Sequence, residues 1–339
     1  IFLIHYFRPI AFRVGLVDKS SDRKGDVRPI PLIGGIAIFI GLMLTSFLFS
    51  SSLQEYRLLF FALGILVLVG ILDDFREISP LAKSLAQIAA ASVLVLADDQ
   101  VIYFIGDIFG TSSDGAAVKT QGLGWLAEPL TIFSIVALIN IVNFIDGHDG
   151  LAGILSLVTV VAIGFLIIVG GQAVHSELVW VVAALLMAFL CFNLPMRFTT
   201  NRRVYLGDAG SMFLGLVLAF LLIDLSQPEL SVDADWKTIV IPATCVPWLL
   251  GIPLVDGISV IIRRLMTGRS PVVADLDHIH HHLNLLGWKS VRILLAITFF
   301  HLVLVGTGIF YVVSGVSDPV VFWSFLALLF FYVCVQWRF

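Results

Sequence analysis

The sequence predicts an all-α polytopic membrane protein, a bundle of about eleven transmembrane helices. Three observations lead there. First, 59% of the 339 residues are hydrophobic and 13% are charged, against roughly 45–50% and about 25% in soluble domains. Second, the mean hydropathy of +1.03 is carried by long apolar runs, not by the short alternating segments of an outer-membrane barrel. Third, the basic residues gather in alternate connections, as the positive-inside bias requires. The composition excludes a disordered chain, a basic nucleic-acid binder and a disulfide scaffold. Cys191, Cys245 and Cys334 lie far apart in apolar runs and have neither metal nor disulfide spacing.

In chain order the apolar runs are 1–12, 32–49, 57–72, 80–97, 129–145, 151–170, 178–195, 210–225, 238–262, 290–313 and 319–337. The first is short before Arg8 and reads as an incomplete first span. No cleavable signal peptide is visible. The polar connection from Asp98 to Glu128 holds Gly, Ser and aromatic residues, so short strands or an interfacial segment are expected there. No repeat or change in composition divides the chain, and residues 1–339 are expected to form one integral-membrane domain.

With eleven spans, one set of connections comprises 8–31, 73–83, 146–150, 196–209, 263–292 and the C-terminal end, and it holds 17 of the 20 Lys and Arg. That set is expected to be cytoplasmic, with the N-terminus outside and the C-terminus inside. Only Arg57, Lys119 and Lys237 fall on the other side.

Four polar clusters lie on the predicted cytoplasmic side. Asp73-Asp74 closes the third run. Paired carboxylates at a membrane interface repel each other and lose hydration. They suit a divalent-metal or general-base site, or a plain hydrated helix end. Next, Asn140, Asn143, Asp146 and Asp149 recur every three residues around Gly147, His148 and Gly150. Oxygen-bearing side chains beside a turning backbone suit a hard cation and a phosphate, where a simple turn would need only one or two of them. Asp208, in Gly207-Asp208-Ala-Gly210-Ser211, is a candidate helix N-cap or ligand, at a helix start that favours anions. The fourth cluster is Asp275-Leu-Asp277-His278-Ile-His280-His281-His282, beside Arg263, Arg264 and Arg269. It fits anion and sugar contacts better than zinc, for which no second spacing motif exists.

Asp256, inside the ninth run, is expected to pair with Arg263 or Arg264, or to line the site. His5, His175 and His301 have no chemical partners nearby in sequence and read as interface or packing residues. The Phe-rich last run reads as a lipid-facing or packing helix.

Gathered on one face, the clusters call for a soluble polyanion arriving with a divalent cation, and a nucleotide sugar with Mg²⁺ fits. The second substrate should be lipid-soluble. An ion-coupled transporter is the remote alternative. Transporters place their sites near mid-bilayer between repeated halves, and neither feature is evident here.

On the motifs Asp18-Lys19, Arg23-Lys24, Pro31-Leu-Ile-Gly34-Gly35, Leu72-Asp73-Asp74, Asn140 to Leu151, Gly207-Asp208-Ala-Gly210-Ser211 and His278-Ile-His280-His281, the chain resembles the polyprenyl-phosphate N-acetylhexosamine-1-phosphate transferases. The resemblance covers nearly the whole chain and is nearest the undecaprenyl-phosphate GlcNAc-1-phosphate branch. It implies an eleven-span bundle in the bacterial inner membrane with a cytoplasmic active site. The implied reaction transfers sugar-1-phosphate from a UDP-sugar to undecaprenyl phosphate, releasing UMP, as the first lipid-linked step of a cell-surface polysaccharide. A modified UDP-amino-sugar or UDP-MurNAc-pentapeptide is the alternative donor, and a homodimer is an open alternative.

The implied roles follow the matching positions. Asp73 and Asp74 match the catalytic pair, and Asp208 and Asn143 match the ligands of Mg²⁺, with Mn²⁺ as the alternative ion. Lys83 stands at a phosphate-binding position. Asp146, Gly147, His148, Asp149, Asn193 and Tyr205 match the region around the uridine. His280, His281 and His282 match the loop that closes over sugar and pyrophosphate. The chain departs from the family pattern at Ser20, Asp26 and His148, which bears on lipid-phosphate entry and nucleotide contact.

Overall fold

The computed structural model describes residues 1–18, 29–49, 53–110, 122–171, 175–195, 202–227, 241–268 and 278–337. Every predicted apolar run is helical: α1 (Phe2–Val14), α2 (Gly34–Ser46), α3 (Arg57–Phe75), α4 (Pro80–Ala97), α5 (Ala127–Ile145), α6 (Leu151–Val169), α7 (Ser176–Asn193), α8 (Gly207–Ser226), α9 (Val246–Met266), α11 (Ser290–Ser314) and α12 (Asp318–Gln336). A short helix, α10 (Ile279–Leu285), precedes α11. Among the described residues, nine helices are long and apolar enough to cross a membrane, and α2 is apolar but shorter. The protein is therefore an all-α, multi-pass membrane protein. Two short strands, β1 (Val17–Asp18) and β2 (Ile30–Pro31), pair antiparallel. The described part of the connection after α4 forms no strand. Instead Gln227 holds it, accepting from the amides of Tyr103 and Phe104 at 3.0 Å each.

α8 is the axis of the bundle and packs against α3, α5 and α2. It is apolar on every side, the pattern of a helix surrounded by others, and nearly all of it is buried. In a bilayer, close helix approach depends on small residues, because lipid is as apolar as leucine. A Cβ added at Gly70 of α3 would lie 2.3 Å from Ala209 Cα, and one at Gly35 of α2 would lie 2.2 Å from the Gly210 amide. Those crossings bring the start of α2 and the end of α3 against the start of α8.

The ninth run is not a straight span. α9 breaks at Gly251, with φ 52° and ψ −128°, two residues before Pro253. Proline has no amide to offer the carbonyl four residues back. Here Thr159 of α6 donates its hydroxyl to that carbonyl, Leu249 O, at 2.9 Å. His301 is fully buried beside the break, with Nε2 3.1 Å from Leu155 O. Neighbouring side chains thus satisfy the freed backbone, as the hydrocarbon interior requires. The packing role expected for His301 takes this specific form.

α4 begins where sequence signals place it. Ser79 caps its N-terminus by accepting from the Ala82 amide at 3.3 Å, and Pro80 occupies the first turn.

Candidate active site

The ends of α3, α5 and α9 and the starts of α4 and α8 meet at one end of the bundle. With the His278 segment they enclose a cavity of about 1030 Å³, at the upper end of the range for small-molecule sites. It is the end that carries Lys83, Arg203 and Arg264. Asp73, Asp74, Lys83, Asn143, Asp146, Gly147, His148, Asp149, Asn193, Tyr205, Asp208 and His281 all line the cavity. His280 and His282 do not. Lys19, Arg23, Lys24, Asp26, Arg28, Arg269, Asp275 and Asp277 lie outside the described residues.

Lys83 is the hub. Its ammonium donates to Asp73 Oδ2 at 2.9 Å and to Asp208 Oδ2 at 2.5 Å. Asp73 is also held by the Ile78 amide, 2.8 Å from Oδ1. The other oxygen of Asp208 accepts from Asn143 Nδ2 at 2.7 Å, and the same amide nitrogen reaches Ser211 Oγ at 2.7 Å. One cation thus screens two carboxylates that would otherwise repel.

The two neighbouring aspartates have different tasks. Asp74 turns away from Lys83 onto the start of α8, where Oδ1 accepts from the Asp208 amide at 2.9 Å. The start of a helix leaves amides unpaired and carries partial positive charge, so this carboxylate is the cap that α8 lacks from its own residues. Of the two roles read for Asp208, cap and ligand, capping falls to Asp74 instead. Asp208 is free to project into the cavity because Asp74, 134 residues earlier, takes the capping task. Gly207 makes this contact feasible. It adopts φ +73°, and a Cβ there would stand 2.6 Å from Asp74 Oδ2.

The three-residue recurrence of Asn and Asp is divided by the end of α5 at Ile145. Asn140 exchanges amide hydrogen bonds with Gln87, Nδ2 donating to Gln87 Oε1 at 2.7 Å and Oδ1 accepting from Gln87 Nε2 at 3.2 Å, which ties α5 to α4. Asn143 faces the Asp208 cluster. Beyond the helix, Asp149 pairs with Arg203 at 3.3 Å, and His148 Nε2 lies 3.1 Å from Ser290 Oγ. Asn193 is occupied structurally, donating to Val204 O at 2.8 Å. The backbone of Tyr205 bonds to Pro31 and Gly34, which fastens the entry of α8 to α2.

Asp256 neither pairs with Arg263 or Arg264 nor lines the cavity, the two roles read for it. It holds His278, Nδ1 to Oδ2 at 2.8 Å, while Arg264 lies with its guanidinium carbon 5.5 Å from the centre of the Phe144 ring and lines the cavity. His280 is 3% exposed, and its ring centroid is 4.0 Å from that of His281. Burial, reinforced by neighbouring His281, pushes its pKa down to about 2, so His280 is a neutral imidazole throughout the physiological range. It backs the cavity wall against Gly147, where an added Cβ would be 3.0 Å from Nε2.

Sequence reading missed Gln87, Arg203 and Ser290 as parts of this region, and named Ser211 and His278 only within their motifs, with no partner or role. Gln87 had a signal, a lone amide in an apolar run. For the others, only the fold shows the partner.

The donor set of Asp208, Asn143 and Asp73 is all oxygen once the Asn143 amide presents its carbonyl. That set suits a hard cation such as Mg²⁺, which uses few protein ligands and completes its shell with water and phosphate. Lys83 shows that a positive charge between these carboxylates is favourable.

The glycosyl transferase family 4 model matches residues 56–226, which include Asp73, Asp74, Lys83, Asn143 and Asp208. The undecaprenyl-phosphate alpha-N-acetylglucosaminyl 1-phosphate transferase of Haemophilus influenzae is 33% identical over 326 residues, 96% of this chain and 88% of that protein. The enzyme of the same name from Pasteurella multocida is 32% identical, covering 98% and 90% respectively. That from Salmonella typhi is also 32% identical, covering 89% and 78%. With half its length matched by the family model and nearly all of it aligned to such relatives, the chain belongs to glycosyl transferase family 4.

Proposed function

We propose that this protein transfers GlcNAc-1-phosphate from UDP-GlcNAc to undecaprenyl phosphate, with Mg²⁺, at the cytoplasmic face of a bacterial inner membrane. The observation that carries the reading is the Asp73–Lys83–Asp208–Asn143 cluster inside a cavity at one end of a membrane bundle. A water-soluble nucleotide sugar reaches such a site from the aqueous side, and a lipid phosphate reaches it from the bilayer.

In the reaction an oxygen of the lipid phosphate attacks the sugar-bearing phosphorus. A new P–O bond forms, the bridging P–O bond breaks, and UMP leaves with the bridging oxygen. The lipid phosphate is largely ionised near neutral pH, with a second pKa of about 6 by analogy with phosphorylated side chains, so proton removal is a small part of the barrier. Mg²⁺ held by Asp208 and Asn143 would supply charge neutralisation for the diphosphate. Lys83 binds and screens phosphate oxygens, released from its carboxylates as phosphate enters. Asp73 orients Lys83. Asp74 holds α8 in place and leaves Asp208 pointing at the substrate. Arg264 and His281 line the wall and offer donors to the nucleotide sugar.

The test is direct. Purified protein with Mg²⁺, undecaprenyl phosphate and labelled UDP-GlcNAc is expected to release UMP and yield labelled lipid in equal amounts. Absence of both products overturns the reading. Turnover only with another UDP-sugar replaces the donor and leaves the chemistry in place.

A further inference from the structure

Asp256 lies outside the segment matched by the family model, within a helix long and apolar enough to cross a membrane, and is fully buried. Its carboxylate receives four donors. Oδ2 takes His278 Nδ1 at 2.8 Å, while Oδ1 takes the Ile279 amide at 3.1 Å, Tyr332 OH at 2.8 Å and Gln336 Nε2 at 2.9 Å. Tyr332 and Gln336 stand one turn apart on α12, a helix turned mostly outward, with neighbours Phe330 and Phe331 71% and 66% exposed. Ser259 of α9 completes the network, donating to Gln336 Oε1 at 2.6 Å.

A carboxylate is a costly way to join two membrane helices, since apolar side chains would pack the α9–α12 contact without burying a charge. What an apolar residue cannot do is hold an imidazole. Three donors on Oδ1 favour the ionised carboxylate, and an ionised carboxylate can only accept, so His278 Nδ1 carries a hydrogen. Its ring lines the cavity, and Nε2 is the nitrogen left for that side. Fixing a histidine's tautomer and orientation is what a buried aspartate does in catalytic triads.

We infer that Asp256 is a positioning residue, held by Tyr332 and Gln336 of the last helix, that presents His278 to the nucleotide-sugar donor. The outermost helix thereby reaches the active site through one carboxylate. This rests on the transferase reading, and wild-type turnover of UDP-GlcNAc is the control that reports on that reading separately.

The experiment is a double-mutant cycle on the full chain in detergent. Asp256→Asn is expected to lower kcat/KM for the UDP-sugar by roughly tenfold, the scale of one charge-assisted hydrogen bond. The KM for undecaprenyl phosphate should stay within about twofold. His278→Gln should lower donor kcat/KM at least as much, and adding Asp256→Asn to it should cost nothing further. Tyr332→Phe, with an expected loss of about threefold, is tested in the same two backgrounds and carries the cycle if Asp256→Asn does not fold. Losses that add in the double variants overturn the inference, because Asp256 would then act independently of His278. So does wild-type donor kinetics in Asp256→Asn or in His278→Gln.

Discussion

α8 carries an aspartate near each end, and each side chain is 30% exposed. Exposure therefore does not separate Asp208 from Asp224, but their partners do. Asp224 is enclosed by the protein's own groups. His175 Nε2 lies 2.7 Å from one oxygen, Gln100 Nε2 donates to the other at 2.7 Å, and Tyr56 OH closes the far side of the imidazole at 3.0 Å. Asp208 shares a single lysine with Asp73 and faces an open cavity. A closed set of donors serves to join helices. An incomplete set, with more negative charge than the nearby cation can neutralise, is a place for a ligand. The helix dipole adds to the contrast, since a carboxylate is favoured at the start of a helix and disfavoured at its end, where Asp224 needs its own partners.

Three substitutions can break or sharpen this contrast. The largest effect is expected for Asp208→Ala, with kcat falling by at least about 10³-fold, the scale of losing charge stabilisation at a reacting phosphate. Expression and melting temperature should be retained, and assay of purified variant alongside differential scanning checks both. Wild-type-like turnover would remove Asp208 from the reaction. Lys83→Met comes next, with a loss of about 10²-fold in kcat. Its melting temperature should fall as well, because Asp73 and Asp208 then face each other without the cation. The smallest effect is expected for Asp224→Asn at the opposite end. It should lower stability by about 1–2 kcal/mol, read as a lower melting temperature, and leave kcat and both KM values unchanged. A fall in kcat without a fall in stability would erase the distinction between the two ends.

Much of the architecture was legible in sequence, because hydropathy and charge bias are properties of short stretches that the bilayer itself selects. Every apolar run is a helix, and Ser79-Pro80 marks the start of α4 by local capping chemistry. Two elements departed from a straight reading. The ninth run breaks at Gly251 before Pro253, a signal present in sequence but obscured by the continuity of apolar residues. The Asp98–Glu128 connection is held, in its described part, by a distant glutamine and not by strand pairing. The site was legible as a set of residue types. Asp73, Lys83, Asn143 and Asp208 do converge, whereas His280 supports the wall and Asn193 anchors a backbone segment. His175, read as a packing residue, is the centre of the polar clasp on Asp224. Asp256 was given the nearest arginines because they are close in sequence, and its partners come from 22 and 76–80 residues away.

The sequence by itself determined that the chain lives in a bilayer, which segments are apolar helices, and which acids, amides and bases are available at their ends. Those are one-dimensional quantities, read residue by residue against lipid and water. Only the tertiary structure decided how Asp73 and Asp74 divide their work, why Asp208 is free to meet a ligand, and which helix governs the histidine segment. The physical reason is contact geometry. Glycines at the α2–α8 and α3–α8 crossings let backbones approach closely enough for a carboxylate on one helix to cap another, and that proximity is a property of the packed bundle.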